Sequence, residues 1–281
     1  MVFWKGRPVG KRRGTPLSNG WFTEAFGAHY PLLYQHRDIT EAERCLARLQ
    51  ALAPLVNQPD ELILDLGCGD GRHLELLFRL GFSAVGLDLS SHLLERARVR
   101  DSGSAGFPLV RGDMRNLPFA ENSFAAVLSL FTAFGYFGSP AANQAPVTEV
   151  ARTLKPRGRW FLDYFDGDRV RAELGTGKAK TRDRELGPLK IREIRRFEAD
   201  QSLVSKDVIL SPLPGKQAEA MALGVPPQGR HYTEQVAVFT IRELDDMAAA
   251  EGLVRVAACG GYDGQELGAG TRWILVYQKT K

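Results

Sequence analysis

The chain has little cysteine, no long apolar run, and no excess of one charge sign over its body. Cys45, Cys68 and Cys259 are the three cysteines of 281 residues. None stands at a spacing that builds a zinc site, and three scattered thiols make no disulfide framework, so no metal is expected. No stretch approaches the roughly 18–20 apolar residues that span a bilayer, which leaves no reason to expect a membrane partner. The basic N-terminus has no apolar segment behind it, unlike a secretory signal, and a cytoplasmic location is expected. Net charge is +4, but Lys5, Arg7, Lys11, Arg12 and Arg13 sit in a Gly/Pro-rich leader; removing those five leaves −1 for the remainder. Residues 1–20 therefore read as a solvated, disordered tail rather than an RNA-binding arm. A second basic cluster, Lys178 to Arg196, is interleaved with Asp183, Glu185 and Glu193. Mixed signs suit a solvent-facing sheet better than a phosphate track, so nucleic acid is not the expected partner.

What is present is a glycine-rich turn between a strand and a helix. Leu62-Ile-Leu reads as a buried parallel strand that breaks into Gly67, Gly69 and Gly71, and His73 to Leu80 reads as an amphipathic helix. Glycines there let a ligand approach the backbone where no Cβ is tolerated. Asp88 ends a second apolar strand, Ala84 to Leu87, where a carboxylate can accept both hydroxyls of a ribose. A dinucleotide fingerprint needs a third glycine three residues after the second, and here that position is Arg72. The pattern predicts a nucleoside-type ligand without a pyrophosphate.

Asp65-x-Gly67-x-Gly69-x-Gly71 resembles the first motif of the class I S-adenosylmethionine-dependent methyltransferases. Gly112-Asp113-Met114, Asn122 to Leu130 and Leu154 to Leu162 are similar to their later motifs, in family order, over roughly residues 60 to 165. The resemblance implies a doubly wound α/β fold, a seven-stranded and mostly parallel Rossmann-like sheet, and S-adenosylmethionine as cofactor. It further implies that Asp88 anchors the ribose and that Asp113 accepts from the adenine amine, with Leu89 and Met114 against the ring. Gly67 and Gly69 give close backbone approach, Asp65 bonds near the cofactor's amino group, and Leu130 passes its aminobutyrate tail. A turn-capping role for Asp113 is the plain alternative.

Tyr30 to Asp38 is similar to the tyrosine-rich opening helix of small-molecule N-methyltransferases in this superfamily. That likeness puts Arg37 and Tyr34 on the cofactor carboxylate and Tyr30 beside the acceptor; an ordinary amphipathic helix is the competing reading. Phe131 to Phe137 follows the fourth strand at the ligand-binding edge, making Phe134 and Tyr136 pocket candidates, and Tyr136 a catalytic one whose ring face can stabilise a cationic transition state. This stretch lacks the Asn/Asp-Pro-Pro-Tyr/Phe motif of nucleic-acid amine methyltransferases. Asp163, Tyr164 and Asp166 end the fifth strand and are candidates to orient an amine or take its proton. His36 and His231 are candidate bases, although a lone histidine is more often structural.

Along the chain, residues 21–167 are expected to hold N-terminal helices and the cofactor core, with Thr40 and Glu43 forming a capping box on the second helix. Residues 168–238 alternate apolar and polar side chains around a Pro/Gly-rich loop, and predict three antiparallel strands (190–198, 203–210, 232–239) inserted as a lid. A dimerisation or stability role, within a homodimer, stays open beside that. Residues 239–281 return to the core as a helix and two strands. The expected activity is methyl transfer to a small molecule, at an amine. The alternatives are a small thiol or amino-thiol acceptor, a tRNA- or protein-modifying methyltransferase, and a cofactor-binding protein without turnover.

Overall fold

Strands buried on both faces belong in the middle of a sheet, and β1 (Ile63–Leu66), β2 (Ala84–Asp88) and β4 (Phe124–Ser129) lie there. The structure is a computed structural model describing residues 25–34, 38–58, 60–100, 106–138, 140–175, 177 and 179–281. The basic leader lies outside the described residues, as do His36 and Arg37. With β3 (Leu109–Arg111), β5 (Leu154–Phe165), β10 (Leu253–Cys259) and β11 (Arg272–Lys279), the sheet runs β10-β11-β5-β4-β1-β2-β3. Pairings from β3 through β5 are parallel, whereas β11 is antiparallel to both its neighbours. This is the expected seven-stranded, mostly parallel α/β sheet. The strand order reverses between β1 and β4, which opens a crevice outside their carboxyl ends.

The helices cover both faces. α1 (Tyr30–Leu33), α2 (Ile39–Leu52), α3 (Arg72–Arg79) and α4 (Ser91–Arg100) precede β3, and α5 (Pro140–Thr153) joins β4 to β5. Ala42, Cys45, Leu46 and Leu49 form the buried stripe of α2, which packs with Leu74 and Leu77 of α3 over Ile63 and Phe161. The opposite face buries Phe124, Val127, Trp160 and Tyr277. Ser90 caps α4 by accepting from Leu93 N–H at 3.2 Å. The expected Thr40 cap is not the one used. Asp38, in extended backbone, accepts from Glu41 N–H at 2.9 Å and starts α2 two residues earlier.

After β5 come α6 (Gly167–Leu174) and a separate antiparallel sheet of four strands: β6 (Lys180–Leu186), β7 (Leu189–Glu198), β8 (Leu203–Pro212) and β9 (Arg230–Ala237). Three strands were expected. β6 is the additional one, an edge strand whose Lys-Thr-Arg-Asp-Arg-Glu run is charged on both faces and carries no alternation to read. The Pro/Gly-rich loop holds α7 (Gln217–Ala222). Leu189, Ile191, Val208, Leu210 and Tyr232 make the inner face, which buries Leu33 and Ala25 of the N-terminal segment. The chain returns through α8 (Ile241–Ala249), where Thr240 and Glu243 form a full capping box.

Candidate cofactor and acceptor site

The glycine turn does what its residue types require. Gly67, Gly69 and Gly71 all have positive φ, at 81°, 57° and 79°. A Cβ on Gly67 would lie 2.7 Å from Ala133 Cβ, while one on Gly69 would meet nothing within 4 Å and would project into open space. That space belongs to a cavity of about 580 Å³, walled by Gly67, Gly69, Asp88, Leu89, Asp113 and Met114. Its size and position suit a nucleoside-sized ligand. Leu130 closes the wall beside the turn.

Asp88 is held by backbone: Oδ2 accepts from Gly69 N–H at 2.9 Å and Oδ1 from Ser90 N–H at 2.8 Å. Burial pushes its carboxyl above the usual range, and these N–H donors partly counter the shift. Each oxygen keeps a lone pair for a further hydroxyl, so the residue fits a ribose diol. Asp113 is gripped by Arg115, whose Nε lies 3.0 Å from Oδ1 and whose Nη2 lies 2.6 Å from Oδ2. Burial opposes its charge, but the Arg115 guanidinium and N–H outweigh burial and hold the carboxyl low. An ionised acceptor facing the cavity fits an exocyclic amine.

Asp65 is buried off the cavity wall, and its Oδ2 has no partner among the described residues. Burial, with Asp88 adding to it and Arg72 opposing, pushes its pKa from 3.8 to about 7. Between those values the folded chain holds a proton that the unfolded chain has released, so this stabilisation is lost as pH rises through about 7. Asp65→Asn should therefore gain on the parent by on the order of 2–3 kcal/mol between pH 5 and pH 8. Urea unfolding of both proteins at the two pH values measures it; parallel profiles would contradict it.

The N-terminal segment supplies an aromatic wall. Tyr30, Tyr34, Tyr136 and Phe26 all face the cavity, with Tyr30 and Tyr34 ring centroids 4.7 Å apart and Phe26 and Tyr136 6.0 Å apart. No residue of the four-stranded sheet is among the described residues of this wall. The sheet instead backs the segment that is. Lys206 Nζ donates to Tyr34 Oη and pairs with Glu234, both at 2.6 Å, and Arg184 donates to the Leu33 carbonyl at 3.2 Å.

Besides Asp65, five expected site residues lie off the cavity wall. Phe131 and Thr132 both take left-handed backbone, φ 56° and 60°, a conformation costing non-glycine residues about 1–3 kcal/mol each. This turn leaves Phe131 and Tyr136 on the cavity wall, while Phe134 is buried beside Trp160 and Phe239. Phe134 is a core residue. Tyr164 is also core: it is fully buried next to Phe239 and donates its hydroxyl to the Ala237 carbonyl. Asp163 is fully buried off the cavity wall, its carboxylate engaged by Phe131 N–H, Tyr262 Oη and Arg272 Nε. Asp166 caps α6, accepting from Arg169 N–H at 2.8 Å. His231, the other candidate base, is exposed beside Asp207 at 3.4 Å and off the cavity wall.

In the sequence Arg72 shows only as a missing third glycine. It lies on the cavity wall, pairs with Glu41 of α2, and sits 5.2 Å from the Phe131 ring. Its partners are 31 and 59 residues away in sequence, beyond any local pattern. His73, next to it, is buried on the same wall with Nε2 unpartnered among the described residues, and burial drives its pKa well down.

Residues 63–158, which carry β1, β2 and the glycine turn, match the methyltransferase domain family. They are a methyltransferase domain. The chain is 39% identical over 108 residues to a demethylmenaquinone methyltransferase of Corynebacterium kroppenstedtii, covering 38% of this chain and 43% of that one. It is 33% identical over 118 residues to a dTDP-3-amino-3,4,6-trideoxy-alpha-D-glucopyranose N,N-dimethyltransferase of Streptomyces venezuelae, covering 40% and 48%. The matched stretch thus spans about half the length of these relatives. Beyond the methyltransferase domain, the likeness is one of fold. The CcbJ methyltransferase of Streptomyces caelestis superposes with a TM-score of 0.72 at 17% identity, over 92% of this chain and 98% of that chain. CalS10, an amino pentose methyltransferase from Micromonospora echinaspora solved with S-adenosylmethionine bound, gives 0.60 at 24% identity, over 89% and 96%. Among the described residues no helix is long and apolar enough to cross a membrane, and no group of three or more His, Cys, Asp or Glu side chains could hold a metal.

Proposed function

We propose that the chain transfers a methyl group from S-adenosylmethionine to a small-molecule acceptor, at an amine. The observation that carries this reading is Asp88, fixed by Gly69 and Ser90 N–H groups on the wall of a 580 Å³ cavity within the methyltransferase domain. When bound, the cofactor supplies an electrophilic methyl on a sulfonium, a leaving group that needs no acid. The chain's own task is to align the acceptor and exclude water. Asp88 would hold the ribose, Asp113 the adenine amine, and Leu89 and Met114 the ring faces. Tyr30, Tyr34 and Tyr136 would enclose the acceptor, and their ring faces suit a centre that gains positive charge as the methyl arrives. The amine assignment is further supported by the N,N-dimethyltransferase named among the relatives and by the tyrosine-rich opening segment.

Incubation with methyl-labelled S-adenosylmethionine and a fractionated metabolite extract, read by mass spectrometry, tests the activity. Label is expected on a low-molecular-weight amine; label confined to RNA or protein would contradict the reading. S-adenosylhomocysteine should raise the melting temperature and NAD should not, because Arg72 fills the third-glycine position with a buried, ion-paired side chain. An equal shift with NAD would contradict the nucleoside assignment.

A further inference from the structure

We propose that Asp163 is a positioning residue that sets the cofactor cavity from inside the core by clamping the left-handed turn Phe131–Thr132. The proposal rests on the cavity being the S-adenosylmethionine site. The turn has two adjacent non-glycine residues at positive φ, 56° and 60°, which local sequence alone does not sustain. What sustains it is one residue at the end of β5. Asp163 Oδ2 accepts from Phe131 N–H at 2.7 Å, and its backbone carbonyl accepts from Thr132 N–H at 2.9 Å. Both N–H groups of the strained pair therefore end on the same residue.

Asp163 is itself held. Arg272 of β11 donates through Nε to Asp163 Oδ1 at 2.6 Å and through Nη2 to Thr132 Oγ1 at 2.8 Å, so one guanidinium ties the carboxylate to the turn. Tyr262 Oη donates to Oδ2 at 2.5 Å. The same guanidinium lies 4.6 Å from the Phe131 ring centroid, with Arg72 at 5.2 Å. Phe131 is thereby fixed by two arginines, of which Arg72 also walls the cavity. The consequence reaches the glycine turn: Ala133, the next residue, occupies the space a Cβ on Gly67 would need. Relaxing Phe131–Thr132 to negative φ would swing Ala133 and Phe131, and both are part of the cavity wall.

A clamp on backbone conformation makes a prediction that a merely stabilising ion pair does not. Glycine adopts positive φ without strain, so Thr132→Gly relieves one of the two strained residues and should make the turn less dependent on the clamp. Asp163→Asn is expected to weaken S-adenosylhomocysteine binding about tenfold or more by calorimetry. The double variant Asp163→Asn/Thr132→Gly should bind within about threefold of Thr132→Gly alone, while its melting temperature stays as low as that of Asp163→Asn. Crystal structures of the ligand-free variants should show residues 131 and 132 leaving positive φ in Asp163→Asn and recovering it in the double variant. Should Asp163→Asn fail to fold, Arg272→Lys, which cannot reach both Asp163 and Thr132, replaces it with the same expected rescue. Unchanged backbone and affinity in the single variant, or no rescue by Thr132→Gly, would overturn the proposal. Failure of the parent chain to bind S-adenosylhomocysteine would instead overturn the cofactor reading, and the backbone comparison would still decide the role of Asp163.

Discussion

Replacing Asp88 by alanine is expected to weaken S-adenosylmethionine binding by about 2–4 kcal/mol, or about 30- to 900-fold in Kd. Two losses add. The ribose hydroxyls lose a charged acceptor, and the Gly69 and Ser90 N–H groups lose the oxygens that hold them at 2.9 and 2.8 Å. Asp88→Asn should fall between parent and alanine, since an amide keeps one acceptor oxygen. Calorimetry on variants shown to be folded by circular dichroism measures both. Unchanged affinity in Asp88→Ala would remove this residue from the site.

Valine at Gly67 should be at least as damaging. The position has φ of 81°, and its Cβ would stand 2.7 Å from Ala133 Cβ. A β-branched side chain is strained in that backbone before it meets any neighbour, and the collision displaces the loop after β4, whose Phe131 and Ala133 wall the cavity. Loss of cofactor affinity by about 100-fold or more is expected. Gly67→Ala/Ala133→Gly separates the two effects: it removes the collision but keeps the φ strain, so it should recover affinity only in part. Full recovery would show that contact, not backbone conformation, governs the turn.

The contrast between Asp88 and Asp163 shows where the sequence was informative. The place of Asp88 on the cavity wall was legible because it depends on local order: an apolar strand ends, a carboxylate follows, and a glycine turn lies just upstream. The first two core strands and three strands of the insertion were readable for the same reason, since hydrophobic period is local. Asp163 occupies an equivalent strand end, yet its carboxylate points to Arg272 and Tyr262, about 100 residues later. Nothing near residue 163 announces those partners. Phe134 is hidden from the sequence for a related reason, because it follows the positive-φ turn at Phe131, and Tyr164 because its partners Ala237 and Phe239 lie about 75 residues later. Strand β6 escaped because an edge strand guards itself with charge and so hides its alternation. The insertion is expected to close the cavity itself; its sheet instead backs Tyr34 on the cavity wall through Lys206, and the neighbouring Leu33 carbonyl through Arg184.

The most direct measurement is a crystal structure of the chain with S-adenosylhomocysteine. The account predicts both ribose hydroxyls within about 2.6–3.2 Å of the Asp88 carboxylate, the adenine between Leu89 and Met114 with its amine toward Asp113, and the thioether end beside Leu130 and the tyrosines. A ligand bound outside this cavity, or one whose ribose does not touch Asp88, would contradict it.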